Sequence, residues 1–229
     1  NVVNQKHQPK TTQDSITLIP LAGRGSRFAD VGYKDPKPLI EVSGKPMIIQ
    51  AANSLPKSEK QIFVTLQEHL DKYSLKTVLK KEYPNAKIVP LNKVTEGQAI
   101  TCSLGLLIGA TDNGMIFNQD MFEELVQNKN IDAIIFTFRH HISSKNNPHM
   151  YGWVNIDGQN NALSVSVKKP ISDNPFKDHA IVGAFWFREV SIFNKALKRL
   201  LDKSIKINGE YYVDSLMQEL IELQFAVKV

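Results

Sequence analysis

Apolar and polar positions along this chain switch between a period near two and a period near three and a half, and the switches outline its elements. The apolar run at 16–22 reads as a buried first strand that stops at a glycine-rich turn. Pro46 at a first-turn position and Pro56 just past the end bracket a helix over 45–55, with Met47, Ile48, Ala51, Ala52 and Leu55 at helical spacing. A β-rich run at 60–67, an amphipathic helix over 70–83 ending at Pro84, and a strand at 86–91 follow. A helix opened by Val94-Thr95-Glu96-Gly97-Gln98-Ala99 runs through Leu104, and the next strand is read at 107–111. Then come a helix over 118–127, a buried strand at 133–138, and strands at 150–156 and 163–167 joined by a turn at Asp157-Gly158. A core strand at 181–187, with Trp186 and Phe187 on opposite faces, leads to a helix capped by Ser191. A last helix carries Leu216, Met217, Leu220, Ile221 and Leu223, and 225–229 reads as a strand cut short. Strands alternating with helices predict an α/β fold whose mostly parallel sheet is wrapped on both faces. Ligands of such sheets bind at the carboxyl ends of the strands, where the glycine turn falls.

One join is too short. A helix needs a loop of about two to six residues before it re-enters a sheet, and almost none remains between Leu104 and Leu107. The pattern therefore predicts a missing segment between about Gly105 and Ile108.

Composition narrows the class. The 229 residues, 42% hydrophobic and 22% charged, suit one sizeable core or one core with a small appendage. Residues 1–14 are polar without periodicity and read as a linker or tail, leaving 15–229 as one domain. The apolar runs fall short of the roughly 20 residues that a spanning helix needs, and no apolar signal segment opens the chain. The expectation is a cytoplasmic protein with no membrane partner. Cys102 is the single cysteine and falls in an apolar helical pattern, as a packed thiol does. The net charge of +5 is scattered rather than gathered with aromatics, so nucleic acid is not an expected partner and small anions suit better. His140, His141 and His149 lack a carboxylate or cysteine at metal-site spacing and read as surface residues.

The glycine turn is where the chemistry concentrates. Gly23-Arg24-Gly25-Ser26-Arg27 leaves backbone N–H groups open to an anion, adds a hydroxyl donor, and brings two guanidinium forks. The glycines alone are equally consistent with a tight strand-to-loop turn. Neither a P-loop nor a dinucleotide fingerprint fits, because the Gly-Lys-Ser/Thr ending and the third glycine are both missing.

Three linked segments carry a resemblance: Leu21-Ala22-Gly23-Arg24-Gly25-Ser26-Arg27, Lys37-Pro38-Leu39 and Gly44-Lys45-Pro46-Met47. Together, in this order, they resemble the sugar-1-phosphate nucleotidyltransferases, or NDP-sugar pyrophosphorylases. Pro20 and Leu21 stand where that family usually has Leu and Ala. The resemblance runs from about Ile16 to the end and implies a Rossmann-like three-layer α/β/α fold, GT-A-like, with a further closing segment after Val229.

It also implies a site. Leu21, Ala22, Gly23, Arg24, Gly25 and Ser26, with Gly97 and Gln98 at the base, would bind the nucleotide; a plain helix cap explains the last two equally well. Lys37 and Arg27 would be the catalytic cations. Asp112 and Asp214 would hold Mg²⁺, which prefers one or two carboxylates plus phosphate oxygens. Asp112 also suits a simple Asp-Asn-Gly turn, Asp214 a helix cap, and Glu210 is a second candidate for the later acid. Gly152, Lys169, Gly183 and Glu210 would line the acceptor pocket. Lys168 replaces the glutamate of the family's Glu-Lys-Pro, and a cation cannot accept hydrogen bonds from sugar hydroxyls as a carboxylate does. The implied reaction joins an NMP from an NTP to a phosphorylated acceptor, with pyrophosphate released. The acceptor stays open among hexose phosphates, heptose phosphates and phosphorylated alcohols such as phosphocholine. A GT-A-type glycosyltransferase using an NDP-sugar and a non-catalytic nucleotide-binding domain are the other readings, the first weakened because Asp112-Asn113-Gly114 lacks a second carboxylate.

Overall fold

Alternation at period two divides the strands between two cores. In the strand Gly105–Ile108, Leu106 and Ile108 enter one apolar cluster and Leu107 the other. The strand Ala133–Phe138 splits the same way at Ile135 and Ile134, and His179–Phe187 at Phe185 and Phe187 against Ala184 and Trp186. A sheet apolar on both faces has to be covered on both, which is why helices flank it.

The structure, a computed structural model, describes residues 12–21, 32, 35–91, 105–204 and 206–229. In chain order these form β1 (Thr12–Leu21), a 3-10 turn (Lys37–Leu39), β2 (Glu41–Val42), β3 (Lys45–Pro46), α1 (Met47–Asn53), β4 (Ser58–Leu66), α2 (Gln67–Lys72), α3 (Leu75–Glu82) and β5 (Lys87–Leu91). After them come β6 (Gly105–Ile108), α4 (Gln119–Gln127), β7 (Ala133–Phe138), α5 (Ile142–Asn146), a second 3-10 turn (Pro148–Met150), β8 (Gly152–Ile156), β9 (Ala162–Val167), β10 (His179–Phe187), α6 (Val190–Asp202), α7 (Val213–Glu222) and β11 (Val227–Lys228).

The main sheet runs β11-β7-β10-β6-β1-β4-β5, with β8 on β10 and β9 on β8. Pairing is parallel from β6 through β1 and β4 to β5, and β10 lies antiparallel to both β6 and β7. One face packs against α6 and α7 through Ile192, Ala196, Leu200, Leu216, Met217 and Leu220. The other packs against α1, α3 and α4 through Ile48, Ile49, Leu75, Leu79 and Phe122. This is the expected three-layer α/β arrangement with a mixed sheet.

Several boundaries differ from the sequence reading, each for a local reason. β1 begins at Thr12, inside the stretch read as a tail, and Thr12 pairs with Ser58. The first helix starts at Met47, because Ser43 and Gly44 take left-handed φ of 49° and 81° and fold β2 back onto β3. The helix read over 70–83 is two, split where Tyr73 is extended, which lets Leu75 and Leu79 turn fully inward. The helix read over 118–127 starts one residue later, at Gln119, because Asn118 caps it by accepting from the Met121 amide at 3.1 Å. Glu189 rather than Ser191 precedes α6, and the Ser191 hydroxyl bonds back to its carboxylate at 2.8 Å.

The expected omission near 105–108 is overturned. That stretch is continuous strand β6, paired with β1 from Ser15↔Gly105 to Leu18↔Ile108, two residues earlier than read. The helix expected through Leu104, with Gly97, Gln98 and Cys102, lies outside the described residues.

Candidate active site

Two corners of the sheet's carboxyl edge bring predicted residues together. The first begins with the Asp35-Pro36-Lys37-Pro38 segment, whose prolines restrict the backbone into a tight 3-10 turn closed by the Leu39 amide on the Pro36 carbonyl at 2.8 Å. That turn projects Lys37, and its Nζ pairs with Asp112 Oδ2. Asp112 reaches this point because β6 ends at Ile108 and the Gly109 amide still bonds to Leu18 O at 3.1 Å, aiming the next residues past the end of β1.

Both partners are partly exposed, at 24% and 37%. A pair so wet contributes about 0.2–1 kcal/mol to folding, so the fold does not depend on it. It is a cation and an anion held at a strand end where a charged ligand can compete for either.

The neighbouring Asn113 anchors this corner to β10, donating from Nδ2 to the Val182 carbonyl at 2.6 Å. Gly183 follows in a register shift of β10, at φ +94°, with a Cβ there 3.0 Å from the Ala110 Cβ and 3.8 Å from Asn113 Nδ2. A side chain at 183 would be strained in backbone and would close the gap between β10 and the Asp112 loop.

The second corner stands two residues along the same strand. Gly152 opens β8 beside Ile181, and a methyl on it would overlap Asp214 Oδ1 and lie 3.0 Å from both Asp214 Cγ and Ile181 Cδ1. Asp214 comes from the first turn of α7, where the helix N-terminus favours an anion. Burial pushes its carboxyl above the usual range, while its own backbone amide and the positive charge of Lys168 act the other way. Lys168 itself has a left-handed φ of 60°, donates from Nζ to Met150 O, and stands 5.4 Å from the Tyr212 ring centroid.

The structure thus joins Lys37 to Asp112, Asn113 to the Gly183 strand, and Gly152 to Asp214. Lys169 and Glu210 are exposed, and neither side chain forms a hydrogen bond or ion pair with another predicted site residue among those described. The Leu21 side chain is buried in the core, and Leu21 ends β1 paired with Thr65 of β4. Ala22, Gly23, Arg24, Gly25, Ser26, Arg27, Gly97 and Gln98 lie outside the described residues. Asn113 and Tyr212 were not singled out by the sequence, since an asparagine after an aspartate and a tyrosine before a helix carry no motif of their own.

A divalent cation suits the donors present. Asp112 and Asp214 offer hard carboxylate oxygens, and a nearby cation would offset the burial cost of Asp214. Among the described residues no group of three or more His, Cys, Asp and Glu could form an all-protein cage. Magnesium binds in the other manner, through one or two carboxylates with phosphate and water completing the shell.

Comparison with known proteins places the fold and the family. The chain is 24% identical over 211 residues to the bifunctional protein GlmU of Methanocaldococcus jannaschii and 23% identical to that of Methanococcus aeolicus. Each match covers 90% of this chain and 46% of the relative, so the chain spans about half the length of these curated relatives. The solved nucleoside-diphosphate-sugar pyrophosphorylase of Vibrio cholerae RC9 superposes with a TM-score of 0.71 at 18% identity, over 93% of this chain and 90% of that one. The inositol-1-phosphate CTP transferase of T. maritima gives 0.69 at 14% identity, over 93% and 84%. At such identities the two structures share the fold. A family model described as nucleotidyl transferase matches residues 16–222, and the chain belongs to the nucleotidyl transferase family.

Proposed function

We propose that this chain transfers a nucleoside monophosphate from an NTP to a phosphorylated small-molecule acceptor, a sugar phosphate or a similar compound, and releases pyrophosphate. The observation that carries the reading is the pairing of Lys37 with Asp112 at the carboxyl end of β6, in a chain matched almost end to end by the nucleotidyl transferase family.

An oxygen of the acceptor phosphate attacks the α-phosphorus, the bond from that phosphorus to the bridging α–β oxygen breaks, and pyrophosphate leaves with the electron pair. Two anions must be brought together first, so the main task of the protein is electrostatic. Lys37, Arg24, Arg27 and the amides of the glycine turn would hold the triphosphate, with Gly97 and Gln98 at the base. Lys169 would take the acceptor phosphate, Gly183 would stand on the acceptor side, and Gly152 would act through the space it gives the Asp214 carboxyl. Glu210 would contribute from the loop before α7. Asp112 and Asp214 would hold magnesium, which when bound supplies positive charge to phosphate oxygens. Lys37, paired with Asp112 here, would place its ammonium on the departing phosphates, and no covalent intermediate with the protein is needed.

The test is a screen of the common NTPs against a panel of phosphorylated acceptors with Mg²⁺, reading pyrophosphate release. Release that requires both an NTP and one acceptor supports the reading. Transfer from an NDP-sugar to a hydroxyl acceptor, with no pyrophosphorolysis of the same NDP-sugar, would overturn it.

A further inference from the structure

We infer that Lys168 makes the acceptor side of this cleft selective for a phosphorylated acceptor bearing a second anionic group, a carboxylate or another phosphate. The inference rests on the nucleotidyl-transfer reading and names its substrate class.

Lys168 follows β9 with a backbone conformation that a lysine seldom adopts, at φ 60°. The backbone is held there from both sides, its amide on the Tyr151 carbonyl at 3.0 Å and its own carbonyl beside His149 Nδ1 at 3.3 Å. The side chain is tethered too, with Nζ on Met150 O and the ammonium 5.4 Å from the Tyr212 ring centroid. Most surface lysines keep their rotamer freedom and their water. This one has been fixed, half-buried, against the turn that leads into Asp214.

Its position matters because of what stands beside it. Gly152 carries no side chain and packs against the Asp214 carboxyl, so the corner is shaped by backbone, one acid and one fixed ammonium. Lys169 adds a second positive charge next in sequence, exposed. An ammonium donates and never accepts, and a partly desolvated cation gains far more from an anion than from a hydroxyl. With Lys169 taking the reacting phosphate under the proposed function, Lys168 calls for a further negative group on the same molecule. A trimethylammonium or amine in that place would meet like charge.

Matched pairs that differ only in this group test the idea: glucuronate 1-phosphate or glucose 1,6-bisphosphate against glucose 1-phosphate, and 3-phosphoglycerate against glycerol 3-phosphate and phosphocholine. Affinities are measured calorimetrically on the whole chain with Mg²⁺ and non-hydrolysable NTP analogues, and pyrophosphate release is followed in parallel with the NTPs. In at least one pair the anionic member binds about tenfold more tightly or better, as a charge-assisted contact requires; the carboxylate and bisphosphate arms say which anion. Lys168→Met brings that ratio to about one and Lys168→Arg keeps it, with unchanged thermal midpoints as the folding control. A wild-type ratio near one in every pair, a ratio that survives Lys168→Met, tighter binding of phosphocholine, or no binding of any member overturns the inference. Pyrophosphate release without a preference leaves the proposed function standing and removes this inference. A preference without any release does the reverse.

Discussion

Gly152 and Asp214 are packed so closely that the missing side chain of the one is the space occupied by the carboxylate of the other. The contact joins the first residue of β8 to the first turn of α7, and it sets where the acid stands relative to β10. Gly152→Ala therefore has to push Asp214 out of place, because a methyl would overlap Oδ1 and crowd Ile181 Cδ1 at 3.0 Å. We expect a loss of about 1–3 kcal/mol in urea unfolding, the usual cost of overpacking. Pyrophosphate release should fall by about tenfold or more, on the scale of a misplaced charged group. Unchanged turnover in a folded variant would take Asp214 out of the reaction.

Lys37→Ala separates function from stability. The pair it makes with Asp112 is wet enough that its loss should change unfolding free energy by less than about 1 kcal/mol. Turnover should drop by about a hundredfold to a thousandfold, as when one electrostatic stabiliser is removed. Steady-state kinetics beside a urea titration reads both quantities, and equal small effects would make the pair a surface decoration.

Chelation gives a third check. Treatment with EDTA should abolish pyrophosphate release while leaving the far-UV circular dichroism spectrum unchanged, and Mg²⁺ should restore it. Asp112→Asn and Asp214→Asn should each raise the Mg²⁺ concentration needed for half-maximal rate. Full activity in EDTA would remove the metal from the scheme.

A charge network joining the end of α6 to α7 predicts an acid-sensitive contribution to stability. Glu219, 2% exposed, and Glu222 are shared by Arg199 and Lys203 at 2.6–3.0 Å. Hydrogen bonds from Lys203, Gln218 and Arg199 hold the Glu222 carboxyl down at about 2, against an ordinary 4.5. The folded chain thus takes up this proton at lower pH than the unfolded chain, so the stabilisation is complete above about pH 4.5 and disappears as pH falls toward about 2. The melting temperature of Glu222→Gln should lie below that of the parent at pH 7, and the gap should narrow steadily below pH 4.5. A gap that does not depend on pH would mean that packing, not charge, holds these helices.

Much of the secondary structure was legible because its signals are local. The apolar run at Ala133–Phe138 coincides with a strand, Asn118 announces α4, and the faces of Trp186 and Phe187 follow from strict alternation. The misread boundaries share a cause. Lys45 and Pro46 are helix-compatible by composition but are taken by the β2–β3 hairpin, and Gly105 and Leu106, read as the place of a missing segment, are strand paired with β1, with Leu106 also paired to β10. Pairing with a distant segment overrides local preference in each case.

Read as a string of residues, the chain already offers the candidate groups and their order: a glycine turn with two arginines, a Lys-Pro-Leu, an Asp after an apolar run, and a late Asp before a helix. Which of them meet is visible in the folded chain alone. Lys37 and Asp112 are 75 residues apart in the chain and touch because parallel pairing of β6 with β1 puts both ends at one edge of the sheet. It also chose Lys168 over Lys169 as the fixed, half-buried ammonium, a distinction that two adjacent lysines in a sequence do not contain. Periodicity reports the environment of a residue within one element, whereas the meeting of side chains depends on strand register and crossover direction, which are set by contacts between elements.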